Sequence, residues 1–310
     1  MRILLIGGGG TLGTYTAEEL LELGHSVDIV CPEEKISENP HLRFFRGYAT
    51  YDFLEKMLKT ERYDGIVNFI LYTSLDDYIP FHKLLSANTD HLIFLSSYRV
   101  YADLQHPVTE SAPQLFDVVK DRVFLENEKY AVPKSKCERY IKNESKFGNW
   151  TIVRPVISFS QRRYDIVFAH PAEEIQKHIA DKMPINLPAE SRNLTAGVDW
   201  AKNSGILIAD LLFKEKALKE DFTVSSAQNL KWGEVADIYT KLSGLKFNWI
   251  PAKEYFNNEP EPYIYTFDRA FDRTIDNRKI LSVTGLDRES FCPIEQGIKT
   301  ELNKILYNSI

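Results

Sequence analysis

The first half of the chain alternates between short apolar runs and longer stretches with helical spacing of apolar residues. The apolar runs predict buried strands at residues 2–6, 25–31, 42–46, 64–69, 91–96 and 151–154. The helical spacing predicts a first helix that follows Gly13 and runs through Leu23. It predicts further helices at residues 52–58, 76–86 and 128–142, the second of these interrupted near its start by Pro80. Strands and helices that alternate in this way favour a parallel sheet with right-handed crossovers and helices on both faces.

After residue 155 the pattern becomes less regular. It predicts a strand at 222–225 and helices at 171–182, 198–213 (with Asp199 as N-cap), 231–242 and 293–306. Proline and asparagine between Pro251 and Pro262 indicate a loop. We therefore expect an α/β fold with a doubly wound parallel sheet in residues 1–155. Residues 156–310 would form a smaller mixed α/β part, with the chain crossing between the two parts more than once.

The composition is that of an ordinary globular protein and argues against several classes. The 310 residues carry a formal net charge of −6, which disfavours binding to nucleic acid through neutralised phosphates. Cys31, Cys137 and Cys292 are odd in number and far apart, which indicates a reducing compartment without disulfides. The seven histidines are scattered, so no metal site is expected. The apolar run at the N-terminus is too short for a signal peptide or a membrane span, so we expect a cytoplasmic protein without a membrane partner.

A glycine-rich turn follows the first predicted strand and precedes the first predicted helix. Gly7, Gly10 and Gly13 stand at three-residue spacing within it. The first glycine permits a tight turn, the second lets the backbone approach a pyrophosphate, and the third allows the helix to pack closely on the strand. This context predicts a dinucleotide site at the start of the helix. The alternative is a glycine turn without a ligand.

The end of the second strand bears on the choice between NAD and NADP. An acidic residue at that position often accepts hydrogen bonds from the ribose hydroxyls, and here the position is occupied by Cys31. Glu33 and Glu34 follow, and no arginine stands there in the sequence to pair with a 2′-phosphate. We therefore expect NAD, without excluding NADP.

Three polar residues form a candidate hydride-transfer site. Tyr130 and Lys134 lie four residues apart, on one face if the stretch is helical. A cation beside a phenol favours the phenolate, which makes such a pair a proton donor and acceptor usable near neutral pH. Ser97 ends a buried strand at the ligand edge of the sheet, where its hydroxyl would orient the reacting oxygen. The structural alternatives are a solvated helix face for the pair and a strand-end cap for the serine.

A set of motifs runs through the chain in a fixed order. In the first half they are Gly7-x-x-Gly10-x-x-Gly13, Ser96-Ser97-Tyr98-Arg99-Val100-Tyr101, Tyr130-Ala-Val-Pro-Lys134-Ser135 with Glu138, and Val153-Arg154-Pro155. In the second half they are Val198-Asp199, Phe222-Thr-Val, Trp232-x-Glu234, Asp276-Asn-Arg278-Lys279, Thr284-Gly285-Leu286 and Pro293-Ile-Glu-Gln-Gly297. Together they resemble the extended short-chain dehydrogenases/reductases, a family that includes nucleotide-sugar epimerases and reductases.

The resemblance implies a Rossmann-type NAD(P) domain and catalytic roles for Ser97, Tyr130 and Lys134. It implies cofactor contacts from Gly7, Gly10, Thr11, Leu12, Gly13, Cys31, Phe69, Tyr130, Lys134 and Pro155. It also implies that the C-terminal part binds a nucleoside-diphosphate sugar, with substrate contacts from Tyr98, Arg99, Arg192, Arg269 and Arg273. Family members are commonly homodimers that pair the tyrosine helix, for which Cys137 and Ile141 would supply a face.

Departures from the family pattern narrow the expected chemistry. The 4,6-dehydratases need an Asp and then a Glu directly after the serine or threonine, where this chain has Tyr98 and Arg99. Because arginine does not titrate near neutral pH, elimination chemistry is not expected. What remains is reversible hydride transfer, as in a 4-epimerase, a 4-keto reductase or a simple dehydrogenase.

The segment 70–90 is short for the family and resembles a divergent branch that includes plant chloroplast stem-loop RNA-binding proteins. The alternative interpretation is therefore a non-catalytic protein on the same scaffold that senses a dinucleotide or binds RNA. The acidic composition and the presence of Ser97, Tyr130 and Lys134 favour the enzyme, so no nucleic-acid partner is expected.

Overall fold

The computed structural model describes residues 1–306 and contains thirteen strands and twelve α-helices within that range. The strands are β1 (Arg2–Ile6), β2 (Ser26–Cys31), β3 (Leu42–Arg46), β4 (Gly65–Asn68), β5 (His91–Leu95), β6 (Trp150–Pro155), β7 (Ile157–Phe159), β8 (Tyr164–Ile166), β9 (Phe168–His170), β10 (Ile185–Pro188), β11 (Val198–Trp200), β12 (Glu220–Val224) and β13 (Phe247–Ile250). The helices are α1 (Thr11–Glu22), α2 (Tyr51–Thr60), α3 (Leu75–Ala87), α4 (Leu115–Val118), α5 (Arg122–Asn127), α6 (Ala131–Asn143), α7 (Ala172–Asp181), α8 (Ala201–Leu211), α9 (Trp232–Ser243), α10 (Ala252–Tyr255), α11 (Arg278–Thr284) and α12 (Ile294–Leu306).

Seven parallel strands form the central sheet, in the order β12-β6-β5-β4-β1-β2-β3. The doubly wound parallel sheet expected from the sequence is therefore confirmed. The central strand β1 is apolar and fully buried from Ile3 to Ile6, as a strand covered on both faces requires. The winding direction reverses between β1 and β4, and a crevice forms at such a reversal beyond the carboxyl ends of the strands.

The second half of the chain contributes to this sheet. β12 pairs with β6 as the outermost strand, with Phe222 opposite Val153. α8 packs so closely on α1 that a Cβ at Gly205 would lie 2.7 Å from the backbone carbonyl carbon of Tyr15. From beyond residue 155, α8 packs on α1 and β12 pairs with β6. The domain boundary at residue 155 therefore stays a prediction.

Three two-stranded sheets lie outside the central one. β10 pairs with β13, β7 with β11, and β8 with β9, the last pair antiparallel. Their apolar residues, including Trp200 of β11, share a buried core with Trp232 and Tyr239 of α9. This is the smaller mixed α/β part expected from the sequence.

Two predicted helix features differ in the structure. Residues 198–200 form β11, so Asp199 is not the N-cap of the following helix. The Asp199 carboxylate instead accepts hydrogen bonds from the Asn203 amide at 2.8 Å and the Ser226 N–H at 2.6 Å, which ties α8 to the segment after β12. Pro80 lies inside α3 without interrupting it, since the helix continues for seven residues beyond the proline, to Ala87.

Candidate active site

A tight glycine turn joins β1 to α1. Gly7 has a φ of +73°, in the left-handed region that residues with a side chain rarely adopt. Gly13 touches the turn itself, because a Cβ there would lie 2.3 Å from the carbonyl oxygen of Gly8. Gly10 borders the cleft, and no atom lies within 4 Å of the position that its Cβ would take. The turn is therefore closed against the protein at Gly13 and open at Gly10.

The N-terminus of α1 is suited to an anion. Its N-cap, Gly10, makes no side-chain hydrogen bond, and the first turn contains no acidic residue. The N–H groups of a first helical turn carry positive partial charge and are favourable partners for phosphate. Two cations lie beside the turn, since Lys35 Nζ and Arg162 Nη1 each donate to the carbonyl oxygen of Gly9 at 2.8 Å.

The end of β2 is arranged differently from the sequence prediction. Cys31 is 1% exposed and does not line the cleft, because it lies beneath the glycine turn. A Cβ at Gly9 would stand 2.7 Å from the Cβ of Cys31 and 2.9 Å from Oε2 of Glu33. The carboxylate beside the turn is therefore that of Glu33, two residues beyond the position that the motif indicates.

A cleft of about 400 Å³ runs from the glycine turn to the ends of β5 and β6. Predicted site residues that line it are Gly7, Gly10, Thr11, Leu12, Gly13, Phe69, Ser97, Tyr98, Arg99, Tyr130, Pro155 and Arg269. Predicted residues that do not line it are Cys31, Lys134, Arg192 and Arg273. The sequence reasoning missed Arg163, Ser158 and Ile264, which also line the cleft.

Tyr130 stands one residue before α6 rather than inside the predicted helix 128–142. The Glu128 carboxylate sets this start, because it accepts hydrogen bonds from the N–H groups of Tyr130 and Val132, each at 2.9 Å. Pro133 then falls in the first turn, where a missing N–H leaves no hydrogen bond unmade. The Tyr130 ring is thereby held half-buried at the wall of the cleft.

Lys134 is buried behind Tyr130. Its side-chain nitrogen lies 5.2 Å from the centre of the Tyr130 ring and donates to the carbonyl oxygens of Leu95 and Ser96, at 2.6 and 3.2 Å. Burial lowers the pKa of Lys134 from its ordinary value. The lysine therefore holds the end of β5 against α6 and presents positive charge to the tyrosine ring.

Ser97 lies at the start of the short 3₁₀ turn that follows β5. Its Oγ accepts a hydrogen bond from the Arg99 N–H at 3.2 Å, and the residue lines the cleft. The Ser97 side chain therefore caps the turn and lines the cleft at the same time.

A buried carboxylate, Asp268, gathers four of the predicted substrate residues. The Tyr98 hydroxyl donates to its Oδ2 at 3.2 Å, and the Arg273 guanidinium donates to its Oδ1 at 3.1 Å. Arg269 pairs with Asp268 and also donates to the Tyr98 hydroxyl at 2.9 Å, while Arg99 Nε lies 3.4 Å from Asp268 Oδ2. Burial raises the pKa of Asp268, but the three arginines outweigh it and hold that pKa below its ordinary value.

Two further arginines show how position in the fold decides a role. Arg192 is exposed, and its guanidinium lies 5.8 Å from the ring centre of Trp249, away from the cleft. Arg163 lines the cleft and forms a two-point pair with Asp165, at 2.7 and 2.8 Å. Both arginines follow Pro155 in a part of the chain with weak periodicity, so the sequence offered no signal that separates them.

A buried ion network stands next to the cleft-lining Pro155. Arg154 is fully buried and donates to both carboxylate oxygens of Glu138, at 2.9 and 2.6 Å. The same guanidinium lies 2.6 Å from Asp221 and donates to the Tyr101 hydroxyl at 2.7 Å. The network joins α6, β6 and β12 at the edge of the site.

Three further expectations concern the dimer face, metal ligands and membrane-spanning helices. Cys137 and Ile141, the expected dimer face, are each 1% exposed because they pack inside the protomer beside Tyr78. That face is not available to a second copy, and a homodimer stays a prediction. Within the first 306 residues, no group of three or more metal-ligating side chains is found. Over the same range, no helix has the length and apolar character needed to cross a membrane.

Comparison of the sequence with known proteins gives distant relatives. No protein-family model matches. The UDP-glucose 4-epimerase of Lactobacillus helveticus is 25% identical over 134 residues, and that of Lacticaseibacillus casei is 28% identical over 136 residues. These matches cover 36% and 37% of this chain, and the chain spans 41% of the length of each of the two relatives. The chloroplast stem-loop binding protein of 41 kDa b of Arabidopsis thaliana is 23% identical over 285 residues, which are 87% of this chain and 69% of that protein.

Solved structures match this chain over nearly its whole length. The UDP-glucose 4-epimerase of Thermus thermophilus in complex with NAD matches with a TM-score of 0.69 and 17% identity, over 100% of both chains. The enzyme WbmG of Bordetella bronchiseptica in complex with NAD and UDP matches with a TM-score of 0.69 and 17% identity, over 97% of this chain and 94% of that one. At such identity the likeness establishes the fold, for the sheet and for the C-terminal part alike.

Proposed function

We propose that this chain is a member of the extended short-chain dehydrogenase/reductase family and an NAD-dependent oxidoreductase acting on a nucleoside-diphosphate sugar. The reaction is hydride transfer at a carbinol or keto carbon, as in a 4-epimerase or a 4-keto reductase. One observation carries the proposal: a continuous cleft is lined at one end by the glycine turn and at the other by Ser97 and Tyr130. A dinucleotide bound along that cleft brings its reactive end toward a proton-transfer group.

The residues at the glycine end fit NAD. Gly10 leaves open space where a phosphate must approach the backbone, and the first turn of α1 offers N–H groups without a competing carboxylate. Glu33 places a carboxylate beside the turn, as an acceptor for ribose hydroxyls. Phe69 and Pro155 also line the cleft and would contact the nicotinamide half of a bound dinucleotide. When bound, NAD supplies the carbon that takes up the hydride and returns it.

The chain's own side chains handle the proton and the geometry. Tyr130 removes the proton from the substrate hydroxyl or returns it to the keto oxygen, and Ser97 hydrogen-bonds that same oxygen. The Arg99 guanidinium carbon lies 4.6 Å from the centre of the Tyr130 ring, with Lys134 behind it. Positive charge beside the ring stabilises the negative charge that develops on the phenolic oxygen during transfer.

The residues after Ser97 argue against 4,6-elimination. That chemistry needs an acid and a base at the next two positions. Here the Tyr98 hydroxyl is engaged with Asp268 and receives a hydrogen bond from Arg269, and Arg99 is a permanent cation. Neither side chain can take part in reversible proton transfer at those positions, so simple hydride transfer is the reaction that the site supports.

The test is a panel of nucleoside-diphosphate sugars and their 4-keto forms, assayed with NADH and NADPH. A 4-epimerase interconverts sugars with NAD retained on the protein, whereas a 4-keto reductase consumes added reduced dinucleotide. Absorbance of the purified protein near the reduced-nicotinamide band gives an independent reading of bound cofactor. Absence of dinucleotide binding together with absence of turnover across the panel would refute the proposal.

A second candidate function is RNA binding, favoured by the stem-loop binding relative, which matches over 87% of this chain. The observable is retention of structured RNA that falls steeply as salt is raised, because phosphate contacts release counterions. RNA retention without dinucleotide binding would support this candidate over the enzyme. The cleft with Ser97 and Tyr130 favours the enzyme, since a pure RNA-binding protein has no need of them.

The substitution Gly10→Ala should weaken dinucleotide binding by about ten-fold or more while the protein stays folded. The added methyl group meets no protein atom, but it occupies the space through which a phosphate would approach the helix start. Binding is measured by titration with NADH, and folding by thermal unfolding. The control is Ala201→Gly at the start of α8, a change of the same size outside the cleft, which should leave NADH affinity unchanged. Gly244→Ala cannot serve, because Gly244 has a positive φ that strains any side chain. Unchanged NADH affinity in the Gly10 variant would place the pyrophosphate elsewhere.

A further inference from the structure

Arg99 is a cleft-lining arginine whose side chain has no hydrogen bond to any residue from 1 to 306. Its side chain is 19% exposed, and its Nε is buried without a partner. The two nearest carboxylates are Asp268, 3.4 Å from Nε, and Glu128, 3.7 Å from Nη2. Both distances exceed the usual 2.7–3.2 Å of an N–H···O hydrogen bond. The Nη1 and Nη2 donors of Arg99 are therefore available to a ligand, whereas the buried Nε faces Asp268.

The other arginines of the cleft are committed to protein groups. Arg269 is buried and engaged with Tyr98 and Asp268, and Arg163 is engaged with Asp165 at two points. Among the cleft-lining arginines within the described part of the chain, Arg99 is the one whose guanidinium makes only long ion-pair contacts. A ligand anion that reaches this part of the cleft meets Arg99 as its partner.

The net charge around Asp268 also favours binding of an anion. Arg99, Arg269 and Arg273 surround Asp268, and Glu128 adds a second carboxylate beside Arg99. Three guanidinium groups against two carboxylates leave an excess of positive charge in a largely buried place. Such an excess is costly when it is desolvated, and an anionic ligand group offsets that cost.

The position of Arg99 limits where the anion sits on the substrate. The backbone N–H of Arg99 donates to Ser97 Oγ, and the Arg99 guanidinium lies over the Tyr130 ring. The proposed function places both of these residues at the reacting carbon. An anion held by Arg99 then lies beside Tyr130, and a carboxylate on the sugar carbon next to the reacting carbon would meet that condition. A planar carboxylate also matches the two-pronged donor geometry of a guanidinium.

We propose that the substrate is a nucleoside-diphosphate hexuronic acid, with Arg99 binding the sugar carboxylate beside the reacting carbon. The proposal rests on the proposed function and adds the class of sugar to it. The specificity comes from Arg99 because the hydroxymethyl group of an ordinary hexose would give the guanidinium no charge-assisted hydrogen bond, only its two long ion pairs with Asp268 and Glu128.

The test compares a nucleoside-diphosphate hexose with the hexuronic acid of the same nucleotide and configuration. The wild-type protein should turn over the uronic acid with a kcat/KM about ten- to a hundred-fold higher, the range expected for charge-assisted hydrogen bonds to a carboxylate. Arg99→Gln should abolish that preference, and Arg99→Lys should keep part of it. The kcat should fall alike for both sugars in Arg99→Gln, because the charge beside Tyr130 is lost as well, so the readout is the ratio of kcat/KM between the two sugars. Arg62→Gln, an exposed arginine paired with Asp90, should leave the preference unchanged.

Binding of the free nucleoside diphosphate shows whether Arg99 contacts the sugar carboxylate or the diphosphate. Its affinity should be the same in the wild type and in Arg99→Gln, and a loss there would overturn the proposal by making Arg99 a diphosphate ligand. A wild-type preference for the hexose would overturn it without use of any variant, and would leave the proposed hydride transfer standing. Absence of both turnover and dinucleotide binding would remove the proposed function and this inference together.

Discussion

Tyr130→Phe should lose nearly all turnover while NADH binding stays close to that of the wild type. The substitution removes only the phenolic oxygen, and the ring keeps its contacts with Arg99 and Lys134. Loss of a positioned general acid or base typically costs about 10²- to 10⁴-fold in rate. Steady-state kinetics on the preferred substrate and titration with NADH measure the two quantities separately.

The matched control is Tyr140→Phe, which removes the same atom from a tyrosine inside α6, the helix that Tyr130 precedes. Tyr140 packs beside Tyr78 and His82 and does not line the cleft. Its variant should keep wild-type turnover. If Tyr130→Phe keeps a substantial fraction of activity, the proton is handled elsewhere and the proposed role of Tyr130 is wrong.

The fold was largely predictable because its signals are local. Each strand from β1 to β6 is an apolar run bounded by turns, and the glycine turn marks the first crossover. The structure moves most of these boundaries by only one or two residues. The short strands β7 to β11 and β13 were not predicted, since a strand of three or four residues is too short to show an alternating pattern. Asp199 was misread as a helix cap because its partner, Ser226, lies 27 residues away in sequence.

The site was predictable only where a motif names a residue. Ser97, Tyr130 and the glycines carry their own spacing, and the structure brings them to one cleft. Asp268 carries no motif, and its bond with Tyr98 spans 170 residues, so only the folded chain reveals it. Lys134 was expected to contact the cofactor, and its nitrogen donates hydrogen bonds to the carbonyl oxygens of Leu95 and Ser96 at the end of β5.

Glu138→Gln should lower the free energy of unfolding by about 3–5 kcal/mol, the range measured when one partner of a buried ion pair is removed. Arg154 would stay fully buried while one of its two carboxylate partners is replaced by an uncharged amide. Asp221 also pairs with Lys142, so it cannot offset the loss in full. Denaturant unfolding at neutral pH measures the difference, and Glu144→Gln, an exposed carboxylate directly after the same helix, should change stability by less than about 0.5 kcal/mol.

The pH dependence distinguishes loss of the ion pair from a packing defect. Burial raises the pKa of Glu138, but the Arg154 guanidinium outweighs it and holds that pKa below its ordinary value. A group with a lowered folded pKa stabilises the protein above its unfolded pKa of about 4.3, and this contribution fades as pH falls through the folded value. The stability gap between the wild type and Glu138→Gln should therefore narrow in acid. If the stability difference between the wild type and Glu138→Gln stays constant as pH falls, the substitution acts through packing rather than through the charge of Glu138.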